Sequence, residues 1–271
     1  MSHQEGRVAV ITGGASGIGL AIGRRLARDG AWVALLDRDG AAAERAADEL
    51  ARSGYVAHGR ACDVTDAEAC RSAIGATVAE WGGVDVLVAN AGISHRSLFE
   101  ATDLEVVRRV IDVNLFGAVN VTAAALPSLI ERRGGIAAIS SVAGFAPLVG
   151  RTAYAASKHA LHGFFGSLRA ELRPRGVAVT LVCPSFVDSG IDAHALSGSG
   201  GRIASGKQVV GRLLTPETVA EAVADGVDRR RELVLVGAVS RSARWVSALF
   251  PRLYERMMVK RQGAEFGLAA S

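Results

Sequence analysis

The sequence predicts a single doubly wound α/β domain in which helices cover both faces of a seven-stranded parallel sheet. Seven short apolar runs alternate with longer stretches of helical periodicity along the 271 residues. No linker divides the chain, and no period of about 20 to 50 residues repeats in it. Hydrophobic residues make up 49% of the composition, which is enough for a sizeable core and argues against a disordered chain or a disulfide-stapled miniprotein.

Strand and helix patterns follow one another in order from the first apolar run. The predicted strands are 7–11, 32–36, 55–61, 84–89, 135–140, 177–182 and 233–236. The predicted helices are 17–29, 39–53, 66–81, 103–132, 153–172 and 215–230. Asp66, Asp103 and Thr215 favour the starts of three of these helices, and Pro216 suits a first helical position. The irregular stretch 189–214, rich in Gly and Ser, is predicted to form a lid.

The cysteines indicate a reducing environment. Cys62, Cys70 and Cys183 form no CxxC or Cys/His motif, which argues against structural zinc and against a secreted disulfide framework. The residues before the first strand are few and polar, and no run reaches about 18 uninterrupted apolar residues. We therefore expect no metal, no signal peptide, no spanning helix and a cytoplasmic protein.

Positive charge is concentrated near the C-terminus. The chain carries 31 Lys and Arg against 27 Asp and Glu, a net charge of +4, with a pI near 9.3. Residues 229–261 alone hold nine Lys and Arg and two Asp and Glu, a net of +7, so the remainder is slightly acidic. Aromatic residues are 5% of the chain and no basic run exceeds three residues, so we expect no nucleic-acid partner.

The segment 239–271 is predicted to be a basic amphipathic extension. Its apolar side chains recur every four residues, at Trp245, Leu249, Leu253 and Met257, with basic residues on another face. Pro251 is expected to kink or restart the helix. Three roles stay open for this extension: a subunit contact, a cap over a substrate entrance, and peripheral contact with a membrane surface.

A glycine-rich turn follows the first strand and opens the first helix. Its spacing, Gly13-xxx-Gly17-x-Gly19, allows a sharp turn and a close approach of the backbone to a pyrophosphate, whose charge the helix N-terminus would stabilise. Asp37 ends the second strand, where a carboxylate would accept hydrogen bonds from ribose hydroxyls and repel a 2′-phosphate. The pattern therefore favours NAD, and the adjacent Arg38 keeps NADP open as the alternative.

Three side chains suited to acid–base chemistry are predicted to meet at the carboxyl edge of the sheet. Tyr154 and Lys158 are four residues apart in the helix 153–172, hence on one face. Ser141 lies 13 residues upstream, at the end of the fifth strand, and open α/β sheets bind ligands at this edge.

Taken together, these motifs resemble the short-chain dehydrogenase/reductase family over residues 6 to 236. The matching residues are TGGASGIG at 12–19, Asp63-Val64, Asn90-Ala91-Gly92, Val113-Asn114, Ser141, Tyr154, Lys158 and Pro184-Ser185-Phe186-Val187. One departure is Ser185, because the family usually has Gly after this Pro. We expect cofactor binding to survive this change with a slightly altered backbone.

The resemblance implies a Rossmann-fold dehydrogenase domain, 1–238, that passes a hydride between nicotinamide C4 and a carbinol or carbonyl carbon. Tyr154 would be the general acid and base, and Lys158 would stabilise its phenolate and hold the nicotinamide ribose. Ser141 would hydrogen-bond the substrate oxygen, and Asn114 would anchor a water that links Lys158 to solvent. Family members commonly associate, so a homodimer or homotetramer is expected.

We expect the dinucleotide and the substrate to occupy adjoining parts of one site. Expected cofactor contacts are Gly13, Ser16, Gly17, Ile18, Gly19, Asp37, Arg38, Asp63, Val64, Asn90, Ala91, Gly92, Tyr154, Lys158, Pro184, Val187 and Ser189. Expected substrate contacts are Ser141, Tyr154, His95, Phe145 and Phe186, with His95 and His194 as candidates for orienting a second polar group.

Because apolar residues predominate in the expected substrate wall, the leading hypothesis is an NAD(H)-dependent oxidoreductase that interconverts a lipophilic secondary alcohol with a ketone or aldehyde. The alternative of the same class is an NADP(H)-dependent 3-oxoacyl-type ketoreductase. A dinucleotide-binding regulatory or scaffold protein without turnover is the alternative of a different class. The intact set of Asn114, Ser141, Tyr154 and Lys158 argues against it.

Overall fold

The predicted alternation of strands and helices is confirmed by the computed structural model, which describes residues 6–191, 195–201 and 213–268. The strands are β1 (Val8–Thr12), β2 (Trp32–Asp37), β3 (Ala57–Ala61), β4 (Val86–Ala89), β5 (Gly135–Ile139), β6 (Ala178–Pro184) and β7 (Leu233–Val236). The helices are α1 (Gly17–Arg28), α2 (Gly40–Arg52), α3 (Ala67–Trp81), α4 (Leu104–Ile111), α5 (Gly117–Glu131), α6 (Thr152–Leu172), α7 (Pro216–Asp228), α8 (Ala238–Leu249) and α9 (Pro251–Gln262).

The strands form one parallel sheet in the order β3-β2-β1-β4-β5-β6-β7. Its apolar residues build a core on each face. Helices α1, α2 and α7 pack on one face through residues such as Ile22, Leu50 and Val223. Helices α3, α5 and α6 pack on the other through residues such as Ile74 and Phe165. Because the strand order reverses between β1 and β4, a crevice forms above their carboxyl ends, where such sheets bind ligands.

The predicted helix 103–132 is not one regular α-helix. A π-helical turn, Asp112–Phe116, separates α4 from α5. The turn holds Asn114, which is 1% exposed and is hydrogen-bonded to Ile93. At the start of α5, a Cβ on Gly117 would lie 2.5 Å from Cγ2 of Val64, so this helix packs closely against the segment after β3. The buried side chain accounts for the interruption, which the 3.6-residue periodicity did not predict.

This continuous helical stretch, 104–131, is long and apolar enough to cross a membrane by length and composition, with a mean hydropathy of 1.6. The sequence predicted no such helix, because no uninterrupted apolar run reaches that length. In the fold, the stretch supplies Val121 and Leu129 to the core beneath the sheet. It also carries the buried Asn114, and 39% of its most apolar 18-residue window is buried.

The C-terminal extension packs onto the domain as α8 and α9, which are separated at Pro251 as expected. Ala243, Tyr254 and Met258 are buried in a third apolar cluster with Val142 and Leu148. Polar contacts reinforce this packing: Ser240 Oγ donates to the Cys183 carbonyl at 2.7 Å, and Gln262 Oε1 accepts from the Val149 amide at 3.2 Å. The extension therefore covers loops that follow β5.

Candidate active site

The glycine-rich turn between β1 and α1 forms a cradle that side chains would fill. Gly13 and Gly17 have φ of +62° and +52°, which favour glycine. A Cβ on Gly19 would lie 2.1 Å from the Gly13 carbonyl oxygen. Ser16 precedes the helix without a side-chain capping hydrogen bond, so the first N–H groups of α1 remain free to bind an anion. The cradle therefore fits a pyrophosphate.

Asp37 is fixed beside this cradle at the end of β2. Its Oδ2 accepts a hydrogen bond from the Ala15 amide at 3.2 Å, and its Oδ1 accepts one from the Asp39 amide at 3.1 Å. The carboxylate is half-buried, and Arg38 beside it is exposed. A negative charge at this position suits ribose hydroxyls better than a phosphate.

Asp63 and Val64 follow β3 at the same edge of the sheet. Partial burial opposes ionisation of Asp63, but hydrogen bonds from Thr65 and the charges of Arg38 and Arg109 outweigh it and lower the pKa of this carboxyl. Val64 is buried, and its carbonyl accepts a hydrogen bond from Asn120 at 2.9 Å. The two residues thus form a charged edge and an apolar floor beyond Asp37.

The floor of the crevice is built by hydrogen bonds between the ends of β1 and β4. Thr12 Oγ1 accepts from the amides of Asn90 and Ala91 at 3.0 and 3.1 Å. Asn90 Nδ2 donates to the Thr12 carbonyl at 2.9 Å. A Cβ on Gly92 would lie 3.1 Å from Asn114 Oδ1 and 3.6 Å from Lys158 Nζ. Because Gly92 has no side chain, space remains beside Lys158.

Lys158 is buried at the centre of the site. Its Nζ donates to the Ile139 carbonyl at 2.8 Å and lies 5.7 Å from the centroid of the Tyr154 ring, one turn earlier in α6. Burial lowers the pKa of Lys158 to about 8. At neutral pH the lysine is still mostly charged, so it places a cation under the tyrosine.

Ser141 and Asn114 complete the predicted set. Ser141 starts the short helical turn Val142–Gly144, and its Oγ accepts from the Ala143 amide at 3.2 Å, which leaves its O–H free to donate. The Asn114 amide accepts from the Ile93 N–H at 2.8 Å and donates to the Ile93 carbonyl and to Ser157 Oγ, both at 2.9 Å. The Asn114 side chain therefore ties the segment after β4 to α6, and its expected role in holding a water stays a prediction.

One pocket brings ten of the predicted site residues together, whereas Asn114, Asp37 and the glycines of the cradle lie outside its lining. Its lining includes Ile18, Asn90, Gly92, Ser141, Tyr154, Lys158, Pro184, Ser185, Phe186, Val187 and Ser189. Val142, Leu148 and Ile191 add to the apolar part of the wall. The Ser189 carbonyl oxygen would lie 2.6 Å from a Cβ on Gly17, so the segment after β6 closes against the cradle.

Ser185 does not disturb the end of β6. Its amide donates to the Val236 carbonyl at 3.1 Å, which continues the pairing of β6 with β7. Its Oγ would lie 2.7 Å from a Cβ on Gly237, a residue with φ of +92°. The serine therefore fits because a glycine faces it from the neighbouring strand end.

Two expected substrate contacts, His95 and Phe145, lie outside this lining. His95 is fully buried, and neither ring nitrogen has a hydrogen-bond partner among the described residues. Burial, with the nearby charge of Arg151, lowers the pKa of His95 to about 4. Phe145 instead contacts His162 edge-on and lies under the Arg244 guanidinium of α8, 5.6 Å from its ring centroid. Residues that are distant in sequence therefore hold both side chains in the protein interior or against other helices, away from the pocket.

Arg151 is a pocket residue that the sequence analysis missed. It is 7% exposed, and its Nη1 donates to Ser94 Oγ at 3.0 Å, with both residues in the lining. Arg151 lies three residues before Tyr154, at the start of α6, and this spacing could have indicated a position near the site. The wall is therefore mainly apolar but contains a second cation besides Lys158.

The predicted lid 189–214 is described only at 189–191, 195–201 and 213–214, and His194 lies outside the described residues. Within the described parts, Leu196 pairs with His95 in an isolated bridge, and Leu214 pairs with Val187. No group of three or more His, Cys, Asp or Glu side chains in the described ranges is arranged to hold a metal ion.

Cysteine side chains lie close to other polar groups in two places. Cys62 Sγ and Cys70 Sγ are 4.0 Å apart, although eight residues separate them. Cys183 Sγ lies 3.5 Å from His162 Nε2, which also contacts Ser140 Oγ at 3.1 Å. All three cysteines are buried and free.

Comparison with known proteins identifies relatives of this arrangement. The sequence pattern of the family described as short chain dehydrogenase matches residues 7–199. The chain is 36% identical over 267 residues to the rat (Rattus norvegicus) dehydrogenase/reductase SDR family member 7B, covering 95% of this chain and 82% of that protein. It is 34% identical over 255 residues to the probable oxidoreductase EphD of Mycobacterium bovis, covering 89% of this chain and 43% of that protein.

A solved structure is similar over nearly the whole fold. It is a short chain dehydrogenase/reductase from Burkholderia phymatum in complex with NAD, with a TM-score of 0.81 and 25% sequence identity. The match covers 93% of this chain and 97% of the other. The Rossmann-type fold class predicted from the sequence is thereby confirmed.

Proposed function

The chain belongs to the short-chain dehydrogenase/reductase family and is an oxidoreductase, and we propose that it uses NAD(H) to interconvert a lipophilic secondary alcohol with a ketone or aldehyde. The observation that carries this proposal is the pocket in which Ser141, Tyr154 and Lys158 meet a mainly apolar wall beside the glycine cradle. Proton-transfer groups and an apolar binding surface in one cavity suit a small uncharged substrate.

The residues present fit a nicotinamide dinucleotide. The cradle at Gly13, Gly17 and Gly19 would hold the pyrophosphate, and Asp37 would hold the adenosine ribose. Asn90 and Ser189 would flank the nicotinamide end, where they line the pocket with Tyr154. When bound, the nicotinamide ring donates or accepts a hydride at C4. The NAD bound to the Burkholderia relative, together with the Asp37 carboxylate, supports NAD rather than NADP.

Tyr154 would donate its phenolic proton to the carbonyl oxygen during reduction and remove the alcohol proton during oxidation. Lys158 favours both directions, because its buried cation stabilises the phenolate form of Tyr154. Ser141 would donate its O–H to the same substrate oxygen and stabilise the charge that develops there. Asn114 contributes by fixing the loop after β4, and it would also anchor a water on the proton path from Lys158.

A second candidate is an NADP(H)-dependent 3-oxoacyl-type ketoreductase. Arg151 favours it, because a guanidinium in the pocket wall would donate a hydrogen bond to a second carbonyl oxygen near the reacting ketone. Arg38 would favour a 2′-phosphate. The two candidates can be distinguished by comparing the turnover rates of simple lipophilic ketones and of 3-oxoacyl thioesters. Each substrate is assayed with NADH and with NADPH.

We also infer a homo-oligomer in the cytoplasm. The family commonly associates, and the exposed apolar side chains of Leu104 and Phe116 supply a surface for contact. The three free buried cysteines support a reducing compartment. Light scattering on the purified protein measures the oligomeric state, and a monomer at all concentrations would contradict it.

The test of the catalytic assignment is a screen of NAD⁺ reduction across secondary alcohols, from short aliphatic chains to sterols, followed by Tyr154→Phe. We expect turnover to fall by at least about 100-fold in this variant, since acid–base catalysis is lost, while NADH still binds with nearly unchanged affinity. Tyr55→Phe, at a half-buried tyrosine before β3, is the matched control. Retained activity in Tyr154→Phe, or no turnover of any alcohol by the unchanged protein, would refute the proposal.

A further inference from the structure

The hairpin formed by α8 and α9 ends in an exposed apolar surface. Trp245 and Leu249 on α8 are 67% and 64% exposed, Phe250 at the junction is 59% exposed, and Leu253 on α9 is 53% exposed. We call these four residues the α8–α9 tip. A cluster of large apolar side chains on a folded surface is typical of an interaction site, whereas single exposed ones are ordinary.

The opposite side of the hairpin packs against the domain, so the α8–α9 tip faces outward. Ala243, Tyr254 and Met258 are each no more than 5% exposed, in a cluster that also contains Leu148 and Phe186 of the pocket wall. Ser247 Oγ donates to the Phe145 carbonyl at 3.2 Å, which adds a polar anchor. Because the inner face packs on the domain, the exposed outer face is open to a partner other than the described part of the chain.

The two helices of the hairpin carry more positive than negative charge. The helices α8 and α9 carry six cations: Arg241, Arg244, Arg252, Arg256, Lys260 and Arg261. None of them forms an ion pair with a residue that the structure describes, and the acid Glu265 is already paired with Arg96 at 2.8 Å. Glu255 is the other acid between 238 and 268. The apolar tip is therefore flanked by positive charge, with Arg252 and Arg256 within three residues of Leu253 in the sequence.

The combination of an apolar surface and flanking positive charge distinguishes between two partners, a second copy of the chain and an anionic lipid bilayer. In a two-fold contact with a second copy, the same positive flank meets itself, so Arg252 and Arg256 would approach their own copies. Like charges at such an interface are unfavourable. An anionic bilayer offers the complementary arrangement, since apolar side chains enter the acyl boundary while guanidinium groups stay at the headgroups.

We propose that the α8–α9 tip docks the protein on an anionic lipid surface. The tip residues insert at the interface, and the surrounding cations bind anionic headgroups. This docking needs no substrate and no turnover. Because the inner face of the hairpin shares an apolar cluster with Leu148 and Phe186, docking also brings the pocket wall close to the lipid phase, and that consequence rests on the proposed lipophilic substrate.

The test is sedimentation of the full chain with vesicles of phosphatidylcholine, with and without phosphatidylserine, at low and high salt. We expect binding only to the anionic vesicles and weakening by salt. Trp245→Ala with Phe250→Ala, and separately Arg252→Gln with Arg256→Gln, should each weaken binding by about tenfold or more. Substitutions are preferable to deletion, because deletion would uncover the apolar cluster beneath the helices.

Matched controls come from other exposed positions. Phe99→Ala with Val56→Ala removes two exposed apolar side chains elsewhere, and Arg173→Gln with Arg175→Gln removes two cations elsewhere. Neither pair should change vesicle binding. Equal binding by the tip variants and the unchanged protein, or no binding at low salt, overturns the proposal. A self-association that the tip variants abolish, in a protein that ignores vesicles, overturns it in favour of a second copy.

Discussion

Lys158 owes its properties to burial rather than to sequence spacing alone. A lysine is rarely buried without compensation, because taking its charge out of water costs several kcal/mol. Here its ammonium has the Ile139 carbonyl as a partner and the Tyr154 ring as a neighbour, and its pKa falls to about 8. The site therefore keeps a cation that is charged at neutral pH yet poorly screened by water, which strengthens its effect on the tyrosine.

At the same scale, Asp37 is expected to select the cofactor. Asp37→Ala removes a charged acceptor of ribose hydrogen bonds, so NADH affinity should fall by about tenfold or more. NADPH affinity should rise, because the repulsion of its 2′-phosphate is lost. Fluorescence titration with both cofactors measures the change.

The control for this prediction is Asp39→Ala. The Asp39 side chain caps α2 by accepting from the Ala42 amide at 2.9 Å, so its loss should lower stability without changing the ratio of cofactor affinities. A preference of the unchanged protein for NADPH would contradict the role of Asp37 and assign the choice to Arg38.

Among the elements, the π-helical turn Asp112–Phe116 has the clearest functional consequence. An extra residue in a helix turn changes which side chain faces inward, and such turns occur often at functional sites. Here the inward residue is Asn114, which holds both backbone groups of Ile93 and contacts Ser157. Ser157 Oγ in turn donates to the Tyr154 carbonyl at 2.7 Å. The turn thereby sets the position of the first part of α6.

Replacing Asn114 tests this function of the turn. Asn114→Ala should lower kcat by about tenfold or more, because small displacements of catalytic groups slow reactions strongly. The loss of three hydrogen bonds in a buried site should also lower the free energy of unfolding by about 2 to 3 kcal/mol. Steady-state kinetics and urea unfolding provide the two measurements.

Ser128→Ala, on the same helical stretch, serves as its control. Ser128 Oγ accepts from the Val84 amide at 2.8 Å, far along α5 from the π-helical turn. This variant should lose stability and keep its kcat. If Asn114→Ala behaves in the same way, the turn is a packing feature only.

For the whole molecule, the strand order brings the separate motifs into one crevice. The glycine turn follows β1, Asn90 follows β4 and Ser141 follows β5, and these three strands are neighbours in the sheet. Parallel strands end at a common edge, so residues more than 100 positions apart meet there. The extension α8–α9 then shares an apolar cluster with Leu148 and Phe186, which line the pocket.

Buried histidines are expected to make the whole fold sensitive to acid. His95 has a folded-state pKa of about 4, against about 6.5 for an exposed histidine. Between these values the unfolded chain binds a proton that the folded chain does not, so stability falls as the pH drops from 6.5 towards 4. At pH 5 this residue should cost about 2 kcal/mol relative to pH 7.

Urea unfolding of His95→Leu at pH 7 and pH 5 measures this contribution. The variant should lose about 2 kcal/mol less stability between the two pH values than the unchanged protein. His162, which is half-buried and has its pKa lowered to about 4 mainly by burial, should add a smaller share. The exposed His159→Leu is the control. An unchanged pH dependence in His95→Leu would contradict the prediction.

Local pattern was sufficient for much of the molecule. The alternation of strands and helices, the glycine turn, Asp37 and the Tyr154–Lys158 pair could all be predicted, since each depends on spacing within a few residues or on periodicity along one element. The break at Pro251 was predictable for the same reason, because the proline ring itself opposes a continuous helix.

Contacts between distant segments decided the rest. The extension covers the loops after β5 because its inner residues find an apolar cluster there, and no local pattern fixes that partner. His95 and Phe145 turn into packing, Arg151 enters the pocket and Asn114 interrupts its helix for the same kind of reason. The sequence by itself determined the fold class and the expected chemical groups. Tertiary structure decided which side chains share the pocket, because burial and hydrogen bonding depend on residues that meet only after folding.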